Sequence, residues 1–193
     1  MQRLIDGIAR YSNEVHPANQ PLFDSLAHGQ SPDVLFLSCA DSRVDPSLIT
    51  QSQPGDIFVC RNAGNIVPPS DSGLSDDGVI ASIEFGVIAL KVSDIVVCGH
   101  ADCGAIKGLL HPDSLTSLPH VTKWLEWADH GGHQEPERAV EANVLAQLAH
   151  LRTYAFINEA VDVGSLTLSG CVYDIASGQV RVFDGTDFTV PNR

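Results

Sequence analysis

Two apolar runs in this chain are continuous where most strands alternate: Val34-Leu35-Phe36-Leu37 and Ile95-Val96-Val97-Cys98. A strand with one wet face alternates apolar and polar residues, so an unbroken run specifies a strand covered on both faces, as in a parallel sheet. Between the runs, Val79, Ile83 and Val87 recur every four residues with Ile80 and Ile88 beside them, which predicts a helix over Gly78 to Lys91 buried along one side. Ser75, Asp76 and Asp77 supply its capping signals. Asp45 ahead of Pro46 marks an N-cap followed by proline at the first helical position. Further on, Pro136 to Glu159 reads as one long helix, and Leu166 to Tyr173 and Val180 to Phe183 read as strands joined by a turn at Ser177-Gly178. The expected fold class is α/β: a mostly parallel β-sheet with an antiparallel edge strand, flanked by helices.

The chain has 193 residues, which suits a single domain over 1–193, with the stretch from Pro68 to Gly78 as an internal surface loop. Its first 30 residues are expected to form a helical arm, in which Leu4, Ile8 and Tyr11 make an apolar stripe with no evident place on a sheet already covered by its own helices. The net charge of -13 disfavours nucleic acid and anionic lipid as partners. No run of about 18 apolar residues occurs, so no membrane span is expected. The opening MQRLIDGIARYSNEV lacks the apolar core and cleavage site of a secretory signal, and cytoplasmic residence is the expectation. Five cysteines, an odd number, then favour reduced thiols or metal ligands over a disulfide framework.

Two clusters fall at the carboxyl ends of the predicted strands, where open α/β sheets place their sites: Cys39-Ala40-Asp41-Ser42-Arg43 and Cys98-Gly99-His100-Ala101-Asp102-Cys103-Gly104. Two thiolates and an imidazole, from Cys39, Cys103 and His100, are ligands that zinc prefers, and three protein ligands leave a fourth tetrahedral position open. Asp41 and Arg43 sit where a carboxylate and a guanidinium can pair beside such a metal.

The segments CADSRVDP, RNAGN (Arg61 to Asn65), SIEFGV (Ser82 to Val87) and CGHADCGA (Cys98 to Ala105) resemble the β-class carbonic anhydrases, and the similarity runs through almost the whole chain. Residues 51–108 and GCVYDIASG (Gly170 to Gly178) are especially similar to the bacterial branch that includes enzymes associated with cyanate degradation. The resemblance implies reversible hydration of carbon dioxide to bicarbonate at zinc bound by Cys39, His100 and Cys103, with Asp41 held by Arg43 beside the metal. Thiolate ligands cancel more of the metal's charge than neutral imidazoles, so water at this metal is expected to be less acidic than at a three-histidine zinc. The same resemblance gives Gln30, the Gly104 N–H, Phe58 and Phe85 as the substrate pocket, and some relatives carry tyrosine where this chain has Phe85. In a second branch of the family, a tryptophan three residues before the first ligand helps bind bicarbonate, and the aspartate swings onto zinc as a fourth ligand. Here Phe36 stands at that tryptophan, while Arg61 and Tyr173 match the other two positions, which favours the open form with Asp41 off the metal.

The family's arm lies across a neighbouring subunit, and the positions of Gln30, Phe58 and Phe85 complete the pocket across that interface. A homodimer or a larger even-numbered homo-oligomer is the implied assembly. Two other readings share these residues: a carbon disulfide or carbonyl sulfide hydrolase on the same framework, and a non-catalytic zinc domain. Cys60, Cys98 and Cys171 are expected to pack in strands as small hydrophobes. His130 and His133 are expected in a solvated loop, His111, His120 and His150 show no partnered pattern, and Trp124, Leu125 and Trp127 read as the packing face of a helix.

Overall fold

The computed structural model describes residues 1–73 and 78–191, and the chain divides into two compact units, Met1–Ser31 and Pro32–Arg193. In the first unit, helix α1 (Gln2–Arg10) runs through a π-helical turn, Tyr11–Val15, into α2 (His16–Ala18) and α3 (Gln20–Leu26). None of its residues is buried. Leu4, Ile8 and Tyr11 are 65%, 67% and 43% exposed, so the residues of the expected apolar stripe are open to solvent. Internal support comes from the Phe23 ring, stacked on His16 with centroids 4.6 Å apart and edge-on to Tyr11.

The second unit is built on a sheet of β1 (Val34–Cys39), β2 (Ile57–Asn62), β3 (Asp94–His100), β4 (Thr167–Tyr173), β5 (Val180–Phe183) and β6 (Phe188–Thr189). The strand order is β2-β1-β3-β4-β5-β6, parallel through β4 and antiparallel across the last two pairings. Helices α4 (Pro46–Thr50), α5 (Gly78–Glu84), α6 (Gly104–Leu110), α7 (Pro119–Trp124), α8 (Pro136–Arg152) and α9 (Ala155–Asp162) connect the strands. Asp45 caps α4 as expected, its carboxylate accepting the Leu48 N–H at 3.1 Å.

Period-two alternation assigns the unbroken runs to two faces. Leu35 and Leu37 of β1 and Ile95 and Val97 of β3 are fully buried in the main core, under α8 and α5. Helix α8 comes so close that a Cβ at Gly99 or Gly170 would stand 2.8 Å from a Val144 methyl. The opposite face carries Phe36, Cys98 and Cys171, all buried, ringed by Ile57, Val96, Val180 and Val182, which stay partly exposed. A groove of about 340 Å³ opens there, lined by Phe36, Ile49, Ile57, Val96, Val180 and Val182 among others. The apolar runs thus predict cover on a face that the second unit leaves part open. Cys60, Cys98 and Cys171 are each buried in apolar clusters, as expected for packing residues.

Two expectations need correction. The helix expected over Pro136 to Glu159 is broken: α8 ends at Arg152, and Tyr154 takes an extended conformation before α9 begins. The break has local causes, since Thr153 Oγ1 donates to the His150 carbonyl and accepts the Ser70 N–H, while the Tyr154 hydroxyl donates to the Pro68 carbonyl at 2.8 Å. The helix over Gly78 to Lys91 has the expected extent, yet its second half, Phe85–Leu90, is π-helical and stops where Lys91 turns left-handed at φ 59°. The proposed caps Ser75, Asp76 and Asp77 lie outside the described residues.

Because Val144 and Leu148 fill the space over Gly170, Gly170→Val should destabilise the fold by about 1–3 kcal/mol through overpacking, read as a lowered denaturant midpoint. The β4–β5 turn makes a second prediction. The Asp174 carboxylate accepts the Ser177 N–H at 2.7 Å and the Ser177 hydroxyl at 2.9 Å, and these two donors, the N–H first, hold its pKa below the ordinary 3.8. A depressed carboxylate stabilises the folded state above its unfolded pKa, and that contribution is lost as pH falls through the folded value. The parent should therefore exceed Asp174→Asn in stability at neutral pH, and denaturation curves of the two should converge in acid.

Candidate metal centre

Parallel pairing of β1 with β3 sets Ser38 opposite Cys98, so the strands deliver Cys39 and His100 to the same carboxyl-end edge of the sheet. Beyond His100 the chain turns through Asp102, left-handed at φ 61°, and Cys103 becomes the N-terminal flanking residue of α6. Cys39 Sγ, Cys103 Sγ and a His100 ring nitrogen all lie within 4.8 Å of one another, and the three residues are buried. His100 Nδ1 lies 2.9 Å from the Ala101 carbonyl, which can only accept, so Nδ1 carries the hydrogen and Nε2 keeps its lone pair. That Nε2 is buried with no hydrogen-bond partner. An unmatched lone pair in the interior costs free energy, and a cation between it and the two sulfurs would answer it. A tetrahedral zinc needs donor separations of roughly 3.5–3.8 Å, and the three donors of this cluster lie within 4.8 Å of one another.

Contact with Cys103 draws the Cys39 thiol down to about 4, helped by His100 and the N–H groups of Gly64 and Asp41 against the opposing effect of burial. The same contact with Cys39, and burial, push Cys103 well above the thiol range. The Gly64 N–H is 3.4 Å from Cys39 Sγ.

Beside the cluster, Asp41 and Arg43 form a bidentate pair: Nε donates to Oδ1 at 2.9 Å and Nη2 to Oδ2 at 2.7 Å. The Arg43 backbone N–H also reaches Asp41 Oδ1 at 3.0 Å, and these bonds, the side-chain ones first, hold the carboxyl far below the usual carboxylate range. Asp41 Oδ2 stands 3.9 Å from His100 Nε2, with its side chain 17% exposed, so one carboxylate oxygen overlooks the metal position. Arg43 is gripped from its other side as well, its Nη1 donating to Asp102 Oδ2 at 2.9 Å and Nη2 to the Asp102 carbonyl at 3.2 Å. Lys107 pairs with the second Asp102 oxygen, and first through that contact Asp102 falls to about 2.

The structure thus brings Cys39, Asp41, Arg43, His100 and Cys103 together. The Gly104 N–H opens α6 next to Cys103, whose sulfur faces the following N–H groups of Ala105 and Ile106. Phe58 and Phe85 form a separate pair, ring centroids 6.1 Å apart, with Phe85 49% exposed. Gln30 is exposed at the end of the first unit. Phe36 is 3% exposed on the second face of the sheet. Arg61, considered above only for an inhibitory site, donates to the Cys39 carbonyl through Nε and Nη2 at 3.0 and 2.9 Å and to the Asp41 carbonyl at 2.7 Å, tying down the ligand loop. His130 Nδ1 is bonded within its own loop to the His133 carbonyl, and among the described residues these two join no metal-binding group. His150, without an assigned partner in sequence, lies 2.8 Å from the Val67 carbonyl through Nδ1.

The sequence reading overlooked Asp102, Lys107 and Gly64. Asp102 and Lys107 were discoverable, being an acid between two candidate ligands and a base five residues later on the helix that follows. Nothing in the sequence marks the Gly64 N–H as a thiolate's partner.

A buried Cys-His-Cys cluster at the carboxyl edge of a mostly parallel sheet defines the class: a metalloprotein with a site of two sulfurs and an imidazole. The comparisons give the family. The carbonic anhydrase family model matches residues 34–180. A carbonic anhydrase of Pseudomonas aeruginosa is 45% identical over 196 residues, covering 96% of this chain and 88% of the relative. The solved structure of the β-carbonic anhydrase CcaA superposes with a TM-score of 0.92 at 42% identity, covering 100% of this chain and 92% of that one. A structure report on two tetrameric β-carbonic anhydrases from Sordaria macrospora matches at a TM-score of 0.73 and 29% identity, covering 95% of this chain and 96% of that one. The chain belongs to the carbonic anhydrase family, in its β class.

Proposed function

We propose that this chain hydrates carbon dioxide reversibly to bicarbonate at a zinc ion held by Cys39, His100 and Cys103. The observation that carries the reading is the buried, unpartnered Nε2 of His100 facing two cysteine sulfurs. Two thiolates and an imidazole are a donor set that selects zinc over hard cations such as magnesium or calcium. When bound, zinc supplies a Lewis acid that makes water a nucleophile near neutral pH.

The protein's own groups do the rest. Asp41, kept ionised by the bidentate Arg43, has no proton to give, so it accepts a hydrogen bond from the attacking oxygen and orients that oxygen's lone pair toward the carbon of the substrate. Because both Arg43-facing bonds are intact, Asp41 is held on the guanidinium and away from the ligand role, the open arrangement that Phe36 also favours. The Gly104 N–H, at the start of α6 beside Cys103, is the donor for negative charge developing on the substrate oxygens. Phe58 and Phe85 are apolar walls suited to an apolar substrate, and Gln30 is an amide donor, both contributed to the site of a neighbouring copy.

The assembly follows from two unsatisfied surfaces: the stripe of Leu4, Ile8 and Tyr11 on the arm, and the part-open Phe36 face of the sheet. A second copy of the chain satisfies both, each arm lying on the other copy's sheet face, which makes a dimer the smallest complete unit and larger even-numbered assemblies its multiples.

Three outcomes test this reading. Zinc analysis should give about one ion per chain, and Cys39→Ser, His100→Ala and Cys103→Ser should each lose both the metal and carbon dioxide hydration in stopped-flow assays. Retention of full zinc by these variants would show the ligand set to be wrong. Asp41→Asn should keep zinc and lose about 100-fold or more in turnover, because the amide neither pairs ionically with Arg43 nor accepts the orienting hydrogen bond in the same way. Deleting residues 1–15 should weaken association in sedimentation and lower activity with it, although no ligand is removed. A fully active monomer would refute the dimer.

A further inference from the structure

The Trp124 indole N–H donates to the Ala63 carbonyl at 2.8 Å. The N–H at the other end of that same peptide group belongs to Gly64, and it points at Cys39 Sγ from 3.4 Å. In a trans peptide the C=O and N–H point in opposite directions, so a donor fixed on the carbonyl side sets the direction of the N–H. A carbonyl that accepts a hydrogen bond also polarises its amide and strengthens the N–H as a donor. From this chain of contacts we infer that Trp124 is a positioning residue for the metal site: through the Ala63–Gly64 peptide it directs a hydrogen bond onto the Cys39 sulfur and so controls how much charge that sulfur gives the metal. The inference rests on the zinc reading above.

The surroundings leave this peptide little alternative. Asn143, itself buried, donates to the next carbonyl, that of Gly64, at 3.1 Å. Asn62 brackets the loop by bonding both the N–H and the carbonyl of Ile66, at 2.7 and 2.8 Å. Gly64 is left-handed at φ 79°, and a Cβ there would stand 2.9 Å from the Ala105 side chain. Among these anchors, Trp124 alone holds the carbonyl of the very peptide that faces the sulfur. Its ring packs with Ile66, Leu115 and Leu125, the same cluster that takes Trp127.

A thiolate that accepts an N–H bond holds its charge more tightly and donates less to its metal, so the metal remains a stronger Lewis acid. Loss of the Trp124 N–H has the opposite sign, and the readout is optical. Cobalt(II) substituted for zinc gives a thiolate-to-cobalt charge-transfer band whose energy falls as the sulfur becomes a better donor. Trp124→Phe keeps an aromatic ring in the cluster and removes the N–H, so its cobalt band should move to longer wavelength, and the zinc enzyme should lose several-fold in kcat with KM unchanged. Trp127→Phe makes the same chemical change in the same cluster and should leave the band in place.

Should Trp124→Phe fail to fold, replacing tryptophan by its isosteric benzothienyl analogue in the Trp127→Phe background deletes only the one N–H, with the same band shift expected. An unmoved band in the folded Trp124 variant, or an equal shift in Trp127→Phe, overturns the inference while leaving the zinc site intact. A cobalt-loaded parent with no thiolate band overturns the metal reading and this inference with it.

Discussion

Parallel pairing of β1 with β3 is the interaction on which the rest of the molecule hangs. Ser38 lies opposite Cys98, and that register alone decides that Cys39 and His100 leave the sheet side by side. Side chains alternate with a period of two, so a slip of one residue would send Leu35, Leu37 and Cys39 off the core face that they share. The register is held because Leu35, Leu37, Ile95 and Val97 are fully buried together on one side, with α8 pressed against Gly99 and Gly170. Core packing and ligand geometry are therefore one constraint. The placement of Cys39 and His100 depends on apolar residues that lie outside the cluster.

Around that edge the structure spends its polar groups on holding backbone in place. Arg61 grips the carbonyls of Cys39 and Asp41, Asp102 and Lys107 hold Arg43, and the loop from Asn62 to Val67 is bonded by Trp124, Asn143, Gln147 and His150. Gln147 is wholly buried and yet satisfied, its Oε1 accepting the Val67 N–H at 2.8 Å and its Nε2 donating to the Trp127 carbonyl at 3.1 Å. Such amides are costly in a core unless every bond is made, and here they are made to the turn behind Cys39. Precision at the metal edge is thus distributed over a helix, a turn and two strands.

Much of this was legible in the sequence, for identifiable reasons. The unbroken apolar runs gave β1 and β3, Asp45-Pro46 gave the start of α4, and the spacing of Cys39, His100 and Cys103 at strand ends gave the candidate ligands, because strand ends are where period and polarity change together. What stayed hidden was set by long-range contact. Thr153 and Tyr154 break the α8 region by bonding to residues near Pro68, more than eighty positions away. Trp124, read as a packing residue, also donates a hydrogen bond across sixty-one positions, which no local pattern encodes. Arg61 was assigned by resemblance to one task and serves the ligand loop as well. Coverage of the Phe36 face was implied by its apolar residues, and a single chain leaves it part open.

The three ligand positions also carry a consequence for how the chain is assembled in time. Cys39 is separated from His100 by α4, β2, α5 and the length of β3, so a metal joining them would close a loop of roughly sixty residues, whereas His100 and Cys103 are neighbours. No preformed trap for the ion exists in the unfolded polypeptide, and its capture must follow the meeting of β1 and β3. With the proposed ligands, an ion would act as a late clasp across the sheet's carboxyl edge. Loss of that clasp would free the turns after Cys39 and His100 first, while the α8-backed apolar core around Leu35, Leu37, Ile95 and Val97 keeps the two strands in register.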